Sequence, residues 1–481
     1  MATNLSLSAD DREFFSLVSQ AASCNPFSDE RLAIDERITG SSAGMSANDR
    51  VARLVQVVSS RVNQLEAQQS ADLRRYAGAD RELVRDAVLF DLYHRYMDAF
   101  DQLILQQVEA GDESLPVPFA GEALALLARR GFAKDDALRY FAILYQIRRA
   151  YYFIDRGLIG RSPCMKELRR HLWNNVFTHD IRLYERHLWN RMEDFSTLLL
   201  GETGTGKGTA AAAIGRSGFI PFDEKRGCFA ESFTRTFVAL NLSQFPETLI
   251  ESELFGHRKG AFTGAVEAHE GVFARCSPYG AIFLDEIGDL SVPVQIKLLQ
   301  VLQERTFTPV GSHERLRFRG RVIAATNKPL DQLRATGQFR DDFFYRLCSD
   351  IITVPPLRQR IQEDRRELDD LLASIVQRLT GQPELPVAWP VPADYPWPGN
   401  VRELEQAVRR VLLTRQYAGD PRPLEADWFG KLRAGKLDAD AVLAGYCAWL
   451  YERHRNYEEV ARRTHLDRRT VKAYLAKAPR C

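Results

Sequence analysis

The chain has 481 residues, of which 45% are hydrophobic and 27% are charged, a balance that is typical of folded globular proteins and excludes a largely disordered chain. Its 65 Lys and Arg against 64 Asp and Glu give a formal net charge of +1, so any contact with nucleic acid requires a local basic patch. The length predicts roughly three domains.

Neither a membrane segment nor an export signal is indicated by the sequence. The longest nearly apolar stretch, 441–450, is far shorter than the roughly 20 residues that span a bilayer, and the first residues have neither a basic start nor an apolar core. The seven cysteines are scattered and form no CxxC pair, which indicates neither a disulfide framework nor a zinc site. We therefore expect a cytoplasmic protein that does not act at a membrane.

Residues 1–155 are predicted to be helical. Apolar side chains recur every three or four residues over 83–104, which predicts one long helix, and again over 138–152. A break is predicted at the proline-containing segment 114–118, and a loop around 25–50, where Ser, Gly and Asp are frequent. One aromatic stripe predicts either a helix core or a ligand pocket, and it comprises Tyr140, Phe141, Tyr145, Tyr151, Tyr152 and Phe153.

Short apolar runs alternate with helical patterns in the middle of the chain. Such runs are typical of parallel strands that are buried on both faces, and they predict an α/β domain. The runs are 197–200, 237–240, 281–284, 322–325 and 351–354. Helical patterns resume from about 358, and a linker rich in Pro and Gly lies around 415–435.

A glycine-rich loop lies between the first predicted strand and a strongly helix-forming run, 209–213. Its glycines let backbone N–H groups surround phosphate oxygens, the helix dipole favours anions, and Lys207 would neutralise the β- and γ-phosphates. Gly208 stands where such loops usually carry the Ser or Thr that binds magnesium, and Thr209 comes one position late. A chance glycine-rich turn is the alternative. The candidate ATP-binding residues of this loop are Gly201, Glu202, Thr203, Gly204, Thr205, Gly206, Lys207, Gly208 and Thr209.

Two acids, Asp285 and Glu286, end the predicted strand 281–284. Asp285 would hold the Mg²⁺ that accompanies ATP, and Glu286 would polarise the attacking water. A solvated acidic turn is the alternative. The position of the pair downstream of Lys207 favours the catalytic interpretation.

The hexapeptide Gly260-Ala-Phe-Thr-Gly-Ala265 has two glycines, which make backbone rearrangement cheap, and one aromatic side chain that could anchor a partner. The alternative is a glycine turn with Phe262 in the core. The hexapeptide resembles the most diagnostic motif of the AAA+ activators of sigma-54-dependent transcription, and the resemblance extends over residues 158–415. It implies a loop that contacts sigma-54 through Gly260, Ala261, Phe262, Thr263, Gly264 and Ala265.

Further segments match motifs of this family. The resemblance implies that Thr326 and Asn327 lie near the γ-phosphate, and that Arg402 reports the nucleotide to a helical lid. It also implies that Asn241 pairs with Glu286, the glutamate of the Walker B motif at 281–286, and couples hydrolysis to loop movement. The segments 295–304 and 310–312 match the helix and the second pore loop of the family. No candidate site residue is taken from them.

Arg340 and Arg346 match the arginines that reach the γ-phosphate of a neighbouring subunit in this family. Such an arginine stabilises transition-state charge and makes catalysis depend on assembly. The alternative is a pair of surface arginines that bind Asp341 and Asp342.

Two segments depart from the family pattern. Residues 177–189 are extra. Residues 219–227 are an insertion between Asn241 and the helix that follows the glycine-rich phosphate-binding loop, which we call the P-loop (201–208). Neither departure removes a motif residue, but both could alter subunit packing or the approach to the nucleotide.

The C-terminal segment 431–481 is basic, with twelve Lys and Arg against six Asp and Glu. Residues 456–475 predict a helix-turn-helix in which Asp467 caps the second helix, and they resemble the Fis-type motif, although its usual turn glycine is absent. A short helical pair with surface arginines is the alternative. The predicted packing residues are Val460, Ala461, Leu466, Val471 and Leu475, and the predicted DNA-binding residues are Arg468, Arg469, Thr470 and Lys472.

The sequence therefore predicts an α/β P-loop AAA+ core with a helical lid, preceded by an all-α N-terminal domain and followed by a small all-α helix-turn-helix domain. Many family members begin with a receiver, which needs alternating strands and helices, so we expect none here and assign the N-terminal domain an unidentified regulatory input. The predicted boundaries are 1–155, 156–357, 358–430 and 431–481.

The predicted function is ATP-dependent activation of transcription. The protein would bind double-stranded DNA upstream of a promoter and assemble with itself into a ring, a hexamer as in the family. It would use ATP and Mg²⁺ to remodel the closed complex of sigma-54 RNA polymerase. The alternatives are an AAA+ remodelling ATPase that acts on another protein and a DNA-binding repressor whose ATPase is vestigial.

Overall fold

The computed structural model describes residues 5–40, 46–68, 71–384, 387–392, 395–417, 419, 432, 435 and 437–477. The predicted linker around 415–435 lies largely outside these residues. The chain divides into two compact units, Met1–Leu385 with Gly399–Val408, and Pro386–Pro398 with Arg409–Cys481. In the part of the chain that is described, no helix is long and apolar enough to cross a membrane.

Helices precede the first strand of the larger unit. They are α1 (Ala9–Ser23), α2 (Asp29–Thr39), α3 (Ala47–Ala67), α4 (Gly78–Arg95), α5 (Met97–Ala110), α6 (Ala120–Arg129), α7 (Lys134–Gly157), α8 (Pro163–Phe177) and α9 (Ile181–Leu183). A short 3₁₀ turn lies at Leu73–Arg75, and a π-helical turn, Tyr184–Leu188, continues α9. The break predicted at 114–118 is confirmed, since it separates α5 from α6.

Two expectations for this region are wrong. The long helix predicted over 83–104 is divided between α4 and α5, because Tyr96 leaves the helical conformation and stacks on Phe119 at 5.5 Å. The loop predicted around 25–50 contains α2, whose N-cap Ser28 accepts the backbone N–H of Arg31. Its apolar side chains are too few to show a helical period in the sequence, yet Ile34 is buried.

An aromatic core joins α5 and α7 to the inserted segment. Within that insertion, β2 (Phe222–Asp223) and β3 (Cys228–Phe229) form an antiparallel hairpin. Phe229 stacks on Tyr145 at 4.1 Å, and Phe222 meets Phe141 edge-to-face at 5.1 Å. Part of the aromatic stripe of α7 is therefore core, as one interpretation of the sequence predicted, and the insertion packs against it.

A five-stranded parallel sheet forms the centre of the larger unit, in the order β4-β5-β8-β1-β9. Its strands are β1 (Thr197–Leu200), β4 (Phe237–Asn241), β5 (Ala281–Asp285), β8 (Arg321–Thr326) and β9 (Asp350–Thr353). A second hairpin pairs β6 (Thr306–Phe307) with β7 (Leu316–Arg317). All five predicted strands are confirmed, and the parallel register brings their carboxyl ends to one edge.

Helices flank this sheet and follow it. They are α10 (Lys207–Gly215), α11 (Glu247–Phe255), α12 (Val272–Arg275), α13 (Val292–Glu304), α14 (Leu330–Ala335), α15 (Asp341–Leu347), α16 (Leu357–Glu363), α17 (Arg366–Thr380) and α18 (Asn400–Thr414). Short 3₁₀ turns lie at Met192–Asp194, Leu242–Gln244 and Ile287–Asp289. Helix α10 packs on β1, β5 and β8 and also on α7 and α8, so this helix, which begins at the end of the glycine-rich loop, lies between the sheet and the helices that precede it.

The described C-terminal residues of the smaller unit form α19 (Ala439–His454), α20 (Tyr457–Thr464) and α21 (Arg468–Lys477). Cys447 and Leu450 of α19 pack with Val460 and Val471, and a further ring of partly buried side chains surrounds them. The residues predicted to pack the last two helices together all lie in this cluster.

Candidate nucleotide-binding site

The glycine-rich loop connects β1 to α10, as the sequence predicted. Gly206 is the N-cap of α10 with φ +104°, and Gly204 has φ +79°, values that strain a residue with a side chain. A Cβ atom at Gly204 would lie 2.9 Å from Arg402 Cβ and would also meet the carbonyl oxygen of Gly399. Glycine at 204 therefore serves both the turn and the close approach of the segment that begins α18.

Lys207 is buried in the loop. Its Nζ donates to the carbonyl oxygens of Gly201 (2.9 Å) and Glu202 (3.2 Å). Burial lowers the pKa of Lys207, while the nearby carboxylates of Glu286 and Asp285 raise it. The ammonium group is thus held among the loop carbonyls, on the side of the loop that faces the two acids.

The acidic pair lies where β5 ends. Asp285 Oδ1 accepts the backbone N–H of Glu286 at 3.1 Å, and Glu286 adopts the left-handed region with φ +59°. Burial raises the pKa of Glu286, and the charge of Asp285 raises it further, while Lys207 opposes the shift. Glu286 Oε2 is buried and has no hydrogen-bond partner among the described residues, which leaves it available to accept a proton.

Thr326 and Asn327 follow on the neighbouring strand β8. Asn327 Nδ2 donates to Thr203 Oγ1 of the P-loop at 2.7 Å. Thr326 is fully buried, and its hydroxyl oxygen accepts the backbone N–H of Lys328 at 3.1 Å. The end of β8 is therefore in direct contact with the loop that the sequence assigned to phosphate binding.

Asn241 ends β4 beside Asp285, with which it is in register. Its Oδ1 accepts the backbone N–H of Ser243 at 3.0 Å and the Ser243 hydroxyl at 2.7 Å. The pairing expected between Asn241 and Glu286 is absent from the hydrogen bonds of the described residues. Asn241 instead caps the 3₁₀ turn that leads towards α11.

Asn400 is a contact residue that the sequence reasoning did not single out. Its side chain is completely buried and its φ is +55°. Asn400 Nδ2 donates to Thr203 O (3.1 Å) and Glu202 Oε2 (3.2 Å), and Oδ1 accepts the backbone N–H of Leu357 at 2.8 Å. The sequence feature that could have identified it is an asparagine directly after Pro-Gly. Asparagine tolerates the left-handed backbone region, so it is suited to a turn at this position.

Two arginines complete this contact with the P-loop. Arg358 forms an ion pair with Glu202 at 2.5 Å, and this hydrogen bond is the main cause that lowers the pKa of Glu202. Arg402 is exposed beside Gly204, and its charge contributes to the lowered pKa of Lys207. The arginine predicted to report the nucleotide therefore lies next to the phosphate loop.

We expect Asn400→Ala to lower the free energy of unfolding by about 2 kcal/mol or more and to weaken ADP binding. The reason is that the backbone N–H of Leu357 and the carbonyl of Thr203 each lose a buried partner. Thermal unfolding with and without ADP and calorimetric ADP titration would measure both effects. Asn400→Gly, which relieves the backbone strain but also lacks the amide, is the matched comparison, and wild-type behaviour of Asn400→Gly would contradict the role of the hydrogen bonds.

Arg340 and Arg346 lie on or beside α15, away from the P-loop contacts described above. Arg340 pairs with Asp342 at 2.7 Å, as the surface-arginine alternative predicted. Arg346 donates to the carbonyl oxygen of Leu302 at 2.7 Å, and it has no acidic partner among the described residues. The Arg340 pair is solvent-exposed, and such pairs cost little to break.

The hexapeptide 260–265 forms a tight exposed loop, closed by a hydrogen bond from Gly260 N–H to Ala265 O at 2.8 Å. Phe262 is 37% exposed and meets His257 edge-to-face at 4.9 Å, so it is not part of the core. Thr263 is exposed at the tip. A Cβ atom at Gly311 would lie 2.7 Å from Ala261 Cβ, which shows that the loop 310–312 packs against this hexapeptide loop.

The turn between α20 and α21 has the expected cap. Asp467 Oδ1 accepts the backbone N–H groups of Arg469 and Thr470, and Oδ2 accepts the Thr470 hydroxyl at 2.6 Å. His465 takes the left-handed conformation, φ +57°, where related turns use glycine. Arg468, Arg469 and Lys472 are exposed on the first turns of α21, whereas Thr470 is engaged with the cap.

Comparison with known proteins gives a consistent set of similarities. Residues 180–353 match the family model described as the sigma-54 interaction domain. The chain is 34% identical over 440 residues to the transcriptional regulatory protein ZraR of Salmonella typhimurium, covering 84% of this chain and 92% of that protein. It is 40% identical over 267 residues to the Nif-specific regulatory protein of Azotobacter vinelandii, covering 55% of this chain and 46% of that protein.

Among solved structures, NtrX from Brucella abortus in complex with ATP is 22% identical to the chain. The structural alignment covers 74% of this chain and 80% of the NtrX chain, with a TM-score of 0.42.

Proposed function

The chain belongs to the sigma-54-dependent transcriptional regulators, and we propose that it activates transcription by hydrolysing ATP to remodel sigma-54 RNA polymerase at a promoter. The observation that carries this proposal is the carboxylate of Glu286. Its Oε2 atom is buried and has no hydrogen-bond partner among the described residues, and the group lies near a P-loop lysine and a second acid. A carboxylate oxygen without a partner in this position suits the acceptance of a proton from an attacking water.

The residues of the site fit ATP and Mg²⁺. The backbone at Gly204 and Gly206 admits no side chain without strain, which suits a cradle for phosphate oxygens, and Lys207 supplies the positive charge. Asp285 commits one carboxylate oxygen to a backbone N–H, so the other can join a magnesium shell whose remaining ligands are phosphates and water. A bound Mg²⁺ would neutralise charge that develops on the phosphates.

In the proposed site, Thr209 would not replace the missing hydroxyl of Gly208. Its methyl carbon Cγ2 faces the end of α7, 3.8 Å from the position that a Cβ atom would take at Gly157. Glu202 in turn is engaged by Arg358 and Asn400. In the proposed site, Glu202 and Thr209 therefore support the loop, while Asp285 holds the metal.

Assembly into a ring would complete the site. Arg340 and Arg346 would each leave a weak local contact and reach the γ-phosphate of the adjacent subunit, where a guanidinium stabilises transition-state charge. The ion pair of Arg340 with Asp342 is exposed, so this rearrangement would cost little. The size of the ring, a hexamer in the proposal, follows from the family.

Hydrolysis would reach the hexapeptide loop through a short path. Asn241 lies beside Asp285 and caps the turn that precedes α11, and α11 ends at Phe255, directly before the segment that carries Phe262. A change of partner at Asn241, from Ser243 to Glu286, would therefore shift α11 and the loop after it. Phe262 and Thr263 would transmit this movement to sigma-54.

The C-terminal helices would hold the protein on DNA upstream of the promoter. Arg468, Arg469 and Lys472 are exposed at the start of α21, where basic side chains can reach phosphates and guanine edges in the major groove. Thr470 would act through the cap that it forms with Asp467. The N-terminal helices would supply a regulatory input.

The test is formation of open complexes in vitro by purified protein, ATP and sigma-54 RNA polymerase on a supercoiled sigma-54 promoter. We expect opening that requires ATP hydrolysis and that a non-hydrolysable analogue does not support. ATP turnover without opening would favour a remodelling ATPase that acts on another protein. Absence of turnover together with DNA binding would favour a repressor with a vestigial ATPase.

A further inference from the structure

A cavity of about 440 Å³ lies at the edge of the sheet opposite the P-loop. Strands β5 and β8 begin there, at Ala281 and Arg321, whereas Asp285 and Thr326 end the same strands at the nucleotide site. The last residues of α10, 214–215, also line it. We call it the basal cavity.

Both segments that depart from the family pattern contribute residues to the lining of the basal cavity. Trp189, from the segment 177–189, meets Phe219, the first residue of the insertion, edge-to-face at 4.7 Å. Gln146 of α7 donates to Ser217 O at 2.8 Å and to the hydroxyl of Tyr184 at 2.7 Å, which fixes the polar floor. The cavity is thus a feature of this chain that the nucleotide site does not use.

The lining of the basal cavity carries an excess of positive charge. Arg317 and Arg319 line it, are exposed, and have neither a hydrogen bond nor an ion pair from their side chains among the described residues. Glu193 is the one acidic residue of the lining. Because arginine presents a planar fork of donors, two free guanidinium groups at one cavity are suited to a carboxylate or a phosphate group.

Two buried arginines near the cavity have neutral partners. Arg321 is hydrogen-bonded to Phe195 O at 2.7 Å and to Asn175, and Arg149 donates to the carbonyls of Arg216 and Gly218, both at 2.7 Å. Neither forms an ion pair with a carboxylate among the described residues, and burial lowers the pKa of each to about 10. The charge of Arg321 is partly offset by the carboxylate of Asp350, which accepts a hydrogen bond from Asn175. Arg149 is hydrogen-bonded to neutral carbonyls, and an anion in the cavity would reduce the cost of burying its charge.

We propose that the basal cavity binds a small anionic ring compound, a planar ring that carries a carboxylate or phosphate group, and that its occupancy alters nucleotide affinity. The aromatic walls provide faces and edges for a ring, and the volume is that of a small-molecule site. The arginines Arg317 and Arg319 bind the anionic group.

Helix α10 connects this cavity to the nucleotide site. It has nine residues, about 13 Å of helix, with Lys207 at one end and Gly215 at the other. Gln146 and Arg149 of α7 hold the segment that follows it, through Ser217 and the neighbouring carbonyls. A ligand that orders this end of α10 changes the free energy needed to order its other end around phosphates. The two sites would then be energetically coupled.

The experiment uses the full chain and three probes: benzoate, phenyl phosphate and, as the uncharged analogue, benzyl alcohol. Calorimetric titrations are made with the P-loop saturated by ADP and Mg²⁺, so that phosphate groups cannot bind there. We expect both anions to bind the wild type and benzyl alcohol to bind at least about tenfold more weakly. The double variant Arg317→Gln/Arg319→Gln should lose at least about tenfold in anion affinity. Arg275→Gln, an exposed arginine outside the cavity, should leave it unchanged.

Three outcomes would overturn the proposal. They are no binding of either anion to the wild type, equal binding by the double variant, and equal binding of benzyl alcohol. The coupling has its own measurement, the dissociation constant of ADP without and with saturating benzoate. It should change in the wild type and stay constant in the double variant, and a constant value in both would refute the coupling. The coupling rests on the proposed nucleotide binding. The benzoate titration is therefore repeated without ADP, where binding that depends on Arg317 and Arg319 does not require a nucleotide site, so the two failures can be distinguished.

Discussion

We expect Glu286→Gln to bind ATP with wild-type affinity and to hydrolyse it at least about 100-fold more slowly. Glutamine has the shape of glutamate but cannot accept a proton from water. The unpartnered Oε2 of Glu286 is the group that the substitution removes, and Lys207 keeps its contacts with Gly201 and Glu202. Single-turnover hydrolysis and ATP titration separate the two effects.

Asp289→Asn is the matched control for this prediction. Asp289 lies three residues after Glu286 on the same turn and forms an ion pair with Lys328, so it is an acid of this region outside the proposed chemistry. Its variant should retain turnover. Equal turnover by Glu286→Gln and the wild type would show that Glu286 is not the base, and loss of ATP binding would show that its role is structural.

The pH dependence of turnover offers an independent check on Glu286. Burial and the charge of Asp285 raise the pKa of Glu286 above that of an ordinary glutamate. A general base must be deprotonated, so turnover should fall as the pH drops through the pKa of Glu286. The acidic limb of the profile should disappear from the residual activity of Glu286→Gln.

We expect Thr263→Ala to hydrolyse ATP at the wild-type rate and to form open complexes about 30-fold less well or worse. Thr263 is exposed at the tip of the hexapeptide loop and does not contact the P-loop among the described residues, so its loss leaves hydrolysis intact. An interface contact worth about 2 kcal/mol corresponds to this factor. Promoter opening and ATPase are measured on the same preparation.

Thr263→Ser tests whether the hydroxyl group is the active part of this side chain. It keeps the hydroxyl and removes one methyl group, and we expect it to retain most of the opening activity. If Thr263→Ala opens promoters as well as the wild type, the loop does not transmit force through Thr263. If both variants lose ATPase as well, the loop affects catalysis and the two functions are not separable there.

Contiguous motifs were predictable because their chemistry depends on short spacings. The strand, glycine loop and helix around Lys207 occur within one stretch of chain, and so do the apolar run and the two acids at Asp285 and Glu286. The five strands were recognisable as short runs of apolar residues, although the edge strands β4 and β9 are only partly buried. The resemblance to the family implied that Thr326 lies near the γ-phosphate, and the parallel sheet provides the physical reason, since it brings the carboxyl ends of the strands together.

Predictions from apolar periodicity were wrong in two situations. One is a helix that buries few apolar side chains, and the other is a helix that ends without a proline or glycine. The apolar spacing continues across Tyr96, so the end of α4 depends on the stacking of that ring on Phe119, which comes from a later segment. Helix α2 was missed because its caps and a few buried residues, such as Ile34, decide it within a polar composition.

The sequence by itself determined the family, the P-loop, the acidic pair, the exposed hexapeptide and the terminal helices, because each is encoded by neighbouring residues. Only the tertiary structure decided that Asn400 closes on Thr203 across 197 positions and that Phe229 of the insertion stacks on Tyr145. It also decided that free arginines gather at the basal cavity. The physical reason is that these contacts depend on how whole helices and strands pack against each other. The spacing of neighbouring residues in the sequence does not determine that packing.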